Sequence, residues 1–166
     1  MTIYLIGSLR NPSIPSIGQY LRQAGYDVFD DWHAAGPDAD MEWKRYEQAR
    51  GHTYREALDG FAAEHVFSFD LYHLNRADMG VLVLPAGRSA FTEFGYLRGQ
   101  GKPVYILLDD PDRWDVMVKF ATGVVLTVEE LLAFLTNLQH TGGKVCCAET
   151  SAYGPLSPLA DESCPY

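Results

Sequence analysis

The chain is poor in cysteine, in cationic charge and in long apolar runs, and each shortage removes a class of protein. Only three cysteines occur among 166 residues, Cys146, Cys147 and Cys164, all near the C-terminal end. An odd number crowded at one end makes no disulfide framework, and no histidine stands at zinc-ligand spacing from them, so no metal site is expected. Lys and Arg total 13 against 22 Asp and Glu, a formal net charge of -9. Nucleic-acid backbones are held mainly by clustered cations, which argues against a nucleic-acid polymer as partner. No apolar run approaches the roughly 18 residues of a membrane span, so no membrane contact is expected. The opening MTIYLIGSLRNP has no basic leader before its short apolar stretch; it reads as a first strand, and the cytoplasm is the expected location. His33, His52, His65, His73 and His140 never pair at a ligand spacing and read as surface or packing residues.

What remains suffices for one domain with a proper core, since apolar residues make up 47% of the chain, the usual share for a globular protein. The segment 81–101, VLVLPAGRSAFTEFGYLRGQG, organises the rest. Residues 81–84 form an unbroken apolar run suited to a strand covered on both faces of a parallel sheet. Pro85 stops it, Gly87 supplies backbone angles closed to other residues, and Ser89 stands as the N-cap of a helix. Phe91, Phe94 and Leu97 recur at helical spacing and are expected to pack on the sheet. Glu93 falls off that stripe, in the first helical turn and close to the C-terminal edge of the strand, where open parallel sheets bind ligands. One reading makes it a plain first-turn acid complementing the helix macrodipole. The other makes it a reactive carboxylate set among Phe91, Phe94 and Tyr96.

Around that segment strands and helices alternate. Residues 2–6, TIYLI, are β-branched and aromatic and predict a central strand. The strand runs into Gly7-Ser8-Leu9-Arg10-Asn11-Pro12, a small polar loop that can offer amides and a guanidinium to an anion, or simply turn the chain. Residues 14–24 carry Ile14, Ile17, Tyr20 and Leu21 at near-helical spacing, closed by Gly25. Residues 26–29 predict the second strand, whose exit brings Asp30, Asp31, Trp32 and His33 to the same edge. There Trp32 can stack on a flat ring or pack as a lid over the core. Residues 34–40 are loop by composition, and helical stretches follow over 41–50, 53–58 and 62–74, with Asp70 off the apolar face. Beyond the Glu93 helix, Gly101-Lys102-Pro103 leads into a strand at 104–108, with Lys102 at the end of the sheet opposite the site. Asp109 and Asp110 read as loop acids. A short helix over 114–120, a fifth strand at 123–126 and a helix to 138 complete the series, the last capped by Thr127 with Glu130 at the N3 place of a capping box.

The sum is an α/β fold: a single doubly wound, Rossmann-like or flavodoxin-like domain over 1–140, with a five-stranded parallel sheet and a helical insertion between strands two and three. Residues 141–166, rich in Gly, Pro and small polar side chains, read as an extended or disordered tail.

Taken together, the GSLRN loop after the first strand, Asp70, Arg76-Ala77-Asp78, the strand VLVLP and the segment GRSAFTEFGYLRGQGKPV give the chain a specific likeness. It resembles the nucleoside 2-deoxyribosyltransferase superfamily, which includes deoxynucleoside 5′-monophosphate N-glycosidases, over most of residues 2–138. The resemblance implies cleavage, by hydrolysis or transfer, of the N-glycosidic bond of a 2′-deoxynucleoside or its 5′-monophosphate. Glu93 would be the nucleophile at the anomeric carbon, and Asp70 would sit beside it on the sugar or assist proton transfer. The chemistry needs such groups: glycosidic cleavage passes through an oxocarbenium-like state that a carboxylate stabilises or captures, while a second acid protonates the departing base. Asp30 and Asp31 are further candidates for that acid.

Gly7, Ser8 and Arg10 look like the phosphate-holding loop of the monophosphate N-glycosidases, and Arg88 and Ser89, after Gly87, add a cation and a helix start. Asp30, Asp31 and Trp32 complete the expected substrate contacts. Gly87 stands where the transferases often carry an acid. No cofactor is implied, and the partners implied are a small nucleoside or nucleotide and further copies of the chain, as a dimer. Two other readings keep the pocket and change its use: a TIR-like NAD hydrolase, and a non-catalytic sensor that binds a nucleotide-like signal.

Overall fold

The computed structural model describes residues 1–108 and 115–140. Asp109, Asp110, the three cysteines and the expected tail over 141–166 lie outside the described residues. Five short strands, β1 (Thr2–Ile6), β2 (Asp27–Phe29), β3 (Met79–Val83), β4 (Val104–Leu107) and β5 (Gly123–Val125), pair in parallel throughout in the order β2-β1-β3-β4-β5. This is the doubly wound sheet that the alternation predicts. Strand order reverses beside β1, so the C-terminal ends of β1 and β3 flank the crevice where such sheets take ligands.

Alternation along β1 divides the core in two. Ile3 and Leu5 face α1 (Ile14–Gln23) and α6 (Val128–His140), packing with Leu21, Leu131 and Leu135. Tyr4 and Ile6 point the other way, into a second cluster with Leu74 of α4 (Phe61–Arg76) and Phe94 and Leu97 of α5 (Arg88–Gly99). In register, Tyr4 lies between Phe29 of β2 and Gly80 of β3. A Cβ at Gly80 would stand 2.7 Å from Leu97 Cδ1 and 3.1 Å from Ile6 Cδ1. Glycine there lets α5 settle close onto the sheet, and α5 carries Glu93.

The insertion between β2 and β3 is helical, as expected, with shifted bounds. Residues 31–35, expected to leave the sheet as an irregular exit, wind into a 3-10 turn (Asp31–Ala35). The helix expected from residue 41 begins earlier, as α2 (Ala39–Ala49), with Asp40 and Glu42 in its acid-favouring first turn. Helix α3 (Tyr54–Leu58) starts on a complete capping box, Glu56 N–H donating to Thr53 Oγ1 and Thr53 N–H to the Glu56 carboxylate. At α6, Glu130 N–H donates to Thr127 Oγ1 at 3.1 Å, but its carboxylate accepts from Leu126 N–H instead of Thr127. Among the described residues no helix is long and apolar enough to cross a membrane.

Candidate active site

Helix α5 begins two residues earlier than expected from the sequence. Its N-cap is Gly87, with φ -96° and ψ -170°, an extended backbone open to any residue, and no neighbour lies within 4 Å of where a Cβ would be. The expected special glycine conformation is therefore absent, and Ser89 is a helical residue, not the cap. With the helix starting at Arg88, no acid falls in its first turn, and Glu93 sits on the second. The macrodipole no longer accounts for an acid there, because its influence fades beyond the first turn.

The aromatic shell also differs. Ala90, Phe94 and Leu97 make the buried face of α5. Phe91 is 42% exposed and meets Phe94 edge-on at 6.4 Å, and Tyr96 turns outward to donate its hydroxyl to Asn75 Oδ1 at 2.9 Å. The expected stripe fails at Phe91 because Ala90, one position earlier, is what points at the sheet.

What encloses Glu93 comes from other elements. Burial pushes its carboxyl up to about 8, and the charge of Asp70 on α4 adds to the shift. Asp70 is itself pushed up to about 6 by burial, and its Oδ1 is buried with no hydrogen-bond partner. Tyr4 completes the group: its phenol is held well above the ordinary range, first by burial, then by the charges of Glu93 and Asp70. Three elements thus bring two carboxyls and a phenol into mutual electrostatic range under low-dielectric cover. Two carboxyls so placed share protons, and between about pH 6 and 8 the pair holds one. Sequence reading missed Tyr4, which there was only one β-favouring letter of TIYLI; its alternation with Ile3 and Leu5 was the available signal.

The other expected residues divide into those at the crevice and those occupied elsewhere. The loop after β1 and the start of α5 follow neighbouring parallel strands, so Ser8, Arg10, Arg88 and Ser89 stand on the same edge of the sheet. Ser8 Oγ accepts from Arg10 N–H at 3.2 Å, and both arginines are exposed. At Gly7 a Cβ would meet Ile14 Cδ1 at 2.6 Å and lie 3.5 Å from the Trp32 ring, so the loop packs down between helix and indole. Trp32 donates from Nε1 to Leu5 O at 2.8 Å and touches both core clusters. It is anchored as a wall of the crevice.

His33, set against Trp32, shares a hydrogen bond with Asn11 O at 3.1 Å, a packing role as expected. Asp31 is exposed. The Asp30 carboxylate is held by Arg22, whose guanidinium also donates to Val28 O at 3.0 Å, and it lies against Gly18. That carboxylate is engaged on the α1 side of the sheet, the face opposite Tyr4. Lys102 binds Leu74 O and Asn75 O at the C-terminal end of α4, the end of the sheet expected of it. A concavity of about 400 Å³ lined by His52, Glu56, Asp59, Gly60, Phe61 and Glu64 shares no residue with the Glu93 group.

No protein-family model matches the chain, and no curated protein matches it. Solved structures do. The 2-deoxyribosyltransferase of Bacillus psychrosaccharolyticus aligns with a TM-score of 0.58 at 18% identity, over 79% of this chain and 90% of its own. The fold is that of the nucleoside 2-deoxyribosyltransferases. A conserved protein of Enterococcus faecalis shares it with a TM-score of 0.54 at 16% identity, covering 82% of this chain and 98% of that one. The CMP N-glycosidase of Clostridium botulinum follows, with a TM-score of 0.50 at 12% identity over 82% and 99%. The match spans nearly the whole of each of these proteins.

Proposed function

We propose that this protein cleaves the N-glycosidic bond of a 2′-deoxynucleoside or its 5′-monophosphate, with Glu93 as nucleophile and Asp70 as the acid serving the departing base. The observation that carries the reading is the pairing of two half-buried carboxyls, both raised by desolvation, at the crevice of a deoxyribosyltransferase fold. Burial of two acids costs free energy that a purely structural role leaves unexplained, and such groups cluster where protons move.

Glu93 attacks C1′ of the sugar as the bond to the base breaks, forming a glycosyl ester, while the leaving nitrogen takes the Asp70 proton. Water or a second base then attacks C1′ and releases Glu93, Asp70 now acting as base. The two carboxyls share one proton between about pH 6 and 8, and the reacting form carries it on Asp70. A sugar cation about 4 Å from the Glu93 carboxylate favours that form by about 4 kcal/mol at an effective dielectric of 20. Arg10 and Arg88 follow neighbouring parallel strands and are exposed at the same edge of the sheet, which supports a 5′-phosphate held there and so a nucleotide substrate.

The test is product analysis. The pure protein is incubated with a panel of deoxynucleosides, their monophosphates and NAD, with and without a second base as acceptor. Free base is expected from a deoxynucleoside or its monophosphate, and none from a folded Glu93→Ala chain. Unchanged turnover in that variant ends the reading. Nicotinamide from NAD alone would make it an NAD hydrolase, and tight stoichiometric binding without product would make it a sensor.

A further inference from the structure

Of the six α-helices described, four begin with carboxylates in the first turn: α2 with Asp40 and Glu42, α3 with Glu56, α4 with Glu64, and α6 with Glu129 and Glu130. Acids there complement the macrodipole and are the usual choice in an acidic chain. Helices α1 and α5 carry none. These two follow β1 and β3. In a chain of net charge -9, the helix starts left without negative charge are thus the two that flank the crevice. An exposed arginine attends each, Arg10 shortly before α1 and Arg88 as the first residue of α5.

Asn11, a buried polar residue only 5% exposed, finishes the mouth of α1. Its N–H donates to Ser8 O at 2.9 Å, and its carbonyl accepts from Ile14 N–H at 3.4 Å and bonds His33 Nε2 at 3.1 Å. The side-chain Oδ1 accepts from Ser13 N–H at 3.0 Å and from Ser13 Oγ at 2.6 Å. A backbone N–H can only donate, so that bond fixes which way round the amide lies. The N-cap hydroxyl of Ser13 is spent on Asn11, and no side-chain cap forms over the first turn of α1. Nδ2, the other half of the same planar amide, is left buried at the helix mouth with no hydrogen-bond partner among the described residues. An unpaired buried donor costs free energy that capping alone does not explain. Both bonds to Oδ1 need only an acceptor, which aspartate supplies equally, with a charge that a helix start ordinarily favours. What asparagine adds at this position is neutrality.

We propose that Asn11 is a specificity-determining residue: its uncharged amide keeps the mouth of α1 open to an anion, so that the crevice takes a phosphate monoester in preference to its neutral counterpart. The inference rests on the crevice being the site proposed above and names the residue that selects nucleotide over nucleoside there. A carboxylate at position 11 would repel the anion and draw off the adjoining Arg10 guanidinium, while leaving a neutral ligand alone.

Titration calorimetry of the full chain with 2-deoxyribose 5-phosphate, which has no glycosidic bond to break, reads this seat without turnover. Asn11→Asp, its fold verified by circular dichroism, should raise the dissociation constant at least about tenfold. Ser16→Glu places an acid on an exposed residue of the first turn of α1, where it does not disturb the core, and should raise the constant about threefold or more. In turnover both variants should lose kcat/KM for deoxynucleoside monophosphates by similar factors and for deoxynucleosides by less than about twofold, a split that a merely structural role would not produce. Wild-type affinity for 2-deoxyribose 5-phosphate in both variants overturns the proposal, as do equal losses on phosphorylated and neutral substrates. Weakened phosphate binding in the variants of a chain that releases no base would overturn the reaction and leave this inference standing. Base release with unchanged preference in the variants would do the reverse.

Discussion

Glu93→Gln should make the protein more stable, by a margin that opens above about pH 4.5 and is complete near pH 8. Burial holds the Glu93 carboxyl near 8 against an ordinary 4.5. The native chain therefore keeps a proton that the unfolded chain has already lost over that interval. Stability from the neutral form is complete below about 4.5, declines as pH rises and is gone above about 8. At about 1.4 kcal/mol per pH unit the ceiling on this loss is about 5 kcal/mol. Solvent reaching the crevice through the less buried Asp70 lowers it, and about 2–3 kcal/mol is the expected size. Glutamine keeps the shape of the protonated acid and never ionises, so the variant should match the wild type near pH 4.5 and pull ahead until about pH 8. For a chain of this length the gap corresponds to about 5–10 °C in melting temperature. Urea unfolding of both proteins at a series of pH values measures it directly. A difference of constant size from about pH 5 to 9 would refute the reasoning, since it would mean that Glu93 ionises in the folded protein as freely as in the unfolded one.

Other expectations follow from the same arrangement. Asp70→Asn should lower base release about 10²- to 10⁴-fold and remove the alkaline limb of the pH–rate profile, where the pair loses its last proton, with the loss smallest for substrates whose base leaves without a proton; an unchanged profile would contradict its role. Arg10→Ala and Arg88→Ala should each raise KM for a monophosphate about tenfold or more while leaving the corresponding nucleoside nearly unaffected, and equal losses on both would remove the phosphate assignment. Gly80→Ala should destabilise by about 1–3 kcal/mol in thermal melts, because its new methyl meets Leu97 and Ile6; a neutral result would show that α5 has room to spare. In a double-mutant cycle, Arg22→Ala and Asp30→Asn should each cost about 1 kcal/mol and together little more than one alone, whereas fully additive losses would deny the ion pair.

The sheet was legible because β-branched and apolar residues run together on its central strands: TIYLI coincides with β1 and VYILL overruns β4 by one residue, while β3 begins two residues before VLVLP, at Met79. The Thr127 half of the expected capping box was legible for the same local reason, whereas the Glu130 carboxylate accepts from Leu126 N–H, one residue before the cap. At the candidate site the sequence singled out Glu93 and Asp70, which the fold brings into electrostatic range, but not their surroundings. Phe91 and Phe94 look equivalent as letters, and only the phase of α5, fixed by its start at Arg88, decides which one turns inward. That phase also moved Glu93 from the first turn to the second. Tyr4 was hidden because its significance lies across the sheet, beside Gly80 and beneath two helices far along the chain. Asp30 looked like a crevice acid from its place after β2, and the Arg22 side chain that claims it comes from the preceding helix. Contacts between distant segments, not local propensity, separate the expected site from the observed one.

The measurement closest to the central claim is mass spectrometry of the protein quenched in acid during turnover of a deoxynucleoside or its monophosphate. The account predicts a chain heavier by one deoxyribose or deoxyribose 5-phosphate less one water, located by digestion on Glu93 and absent from Glu93→Gln. Base release without any adduct on Glu93, or an adduct on another carboxylate, would contradict it.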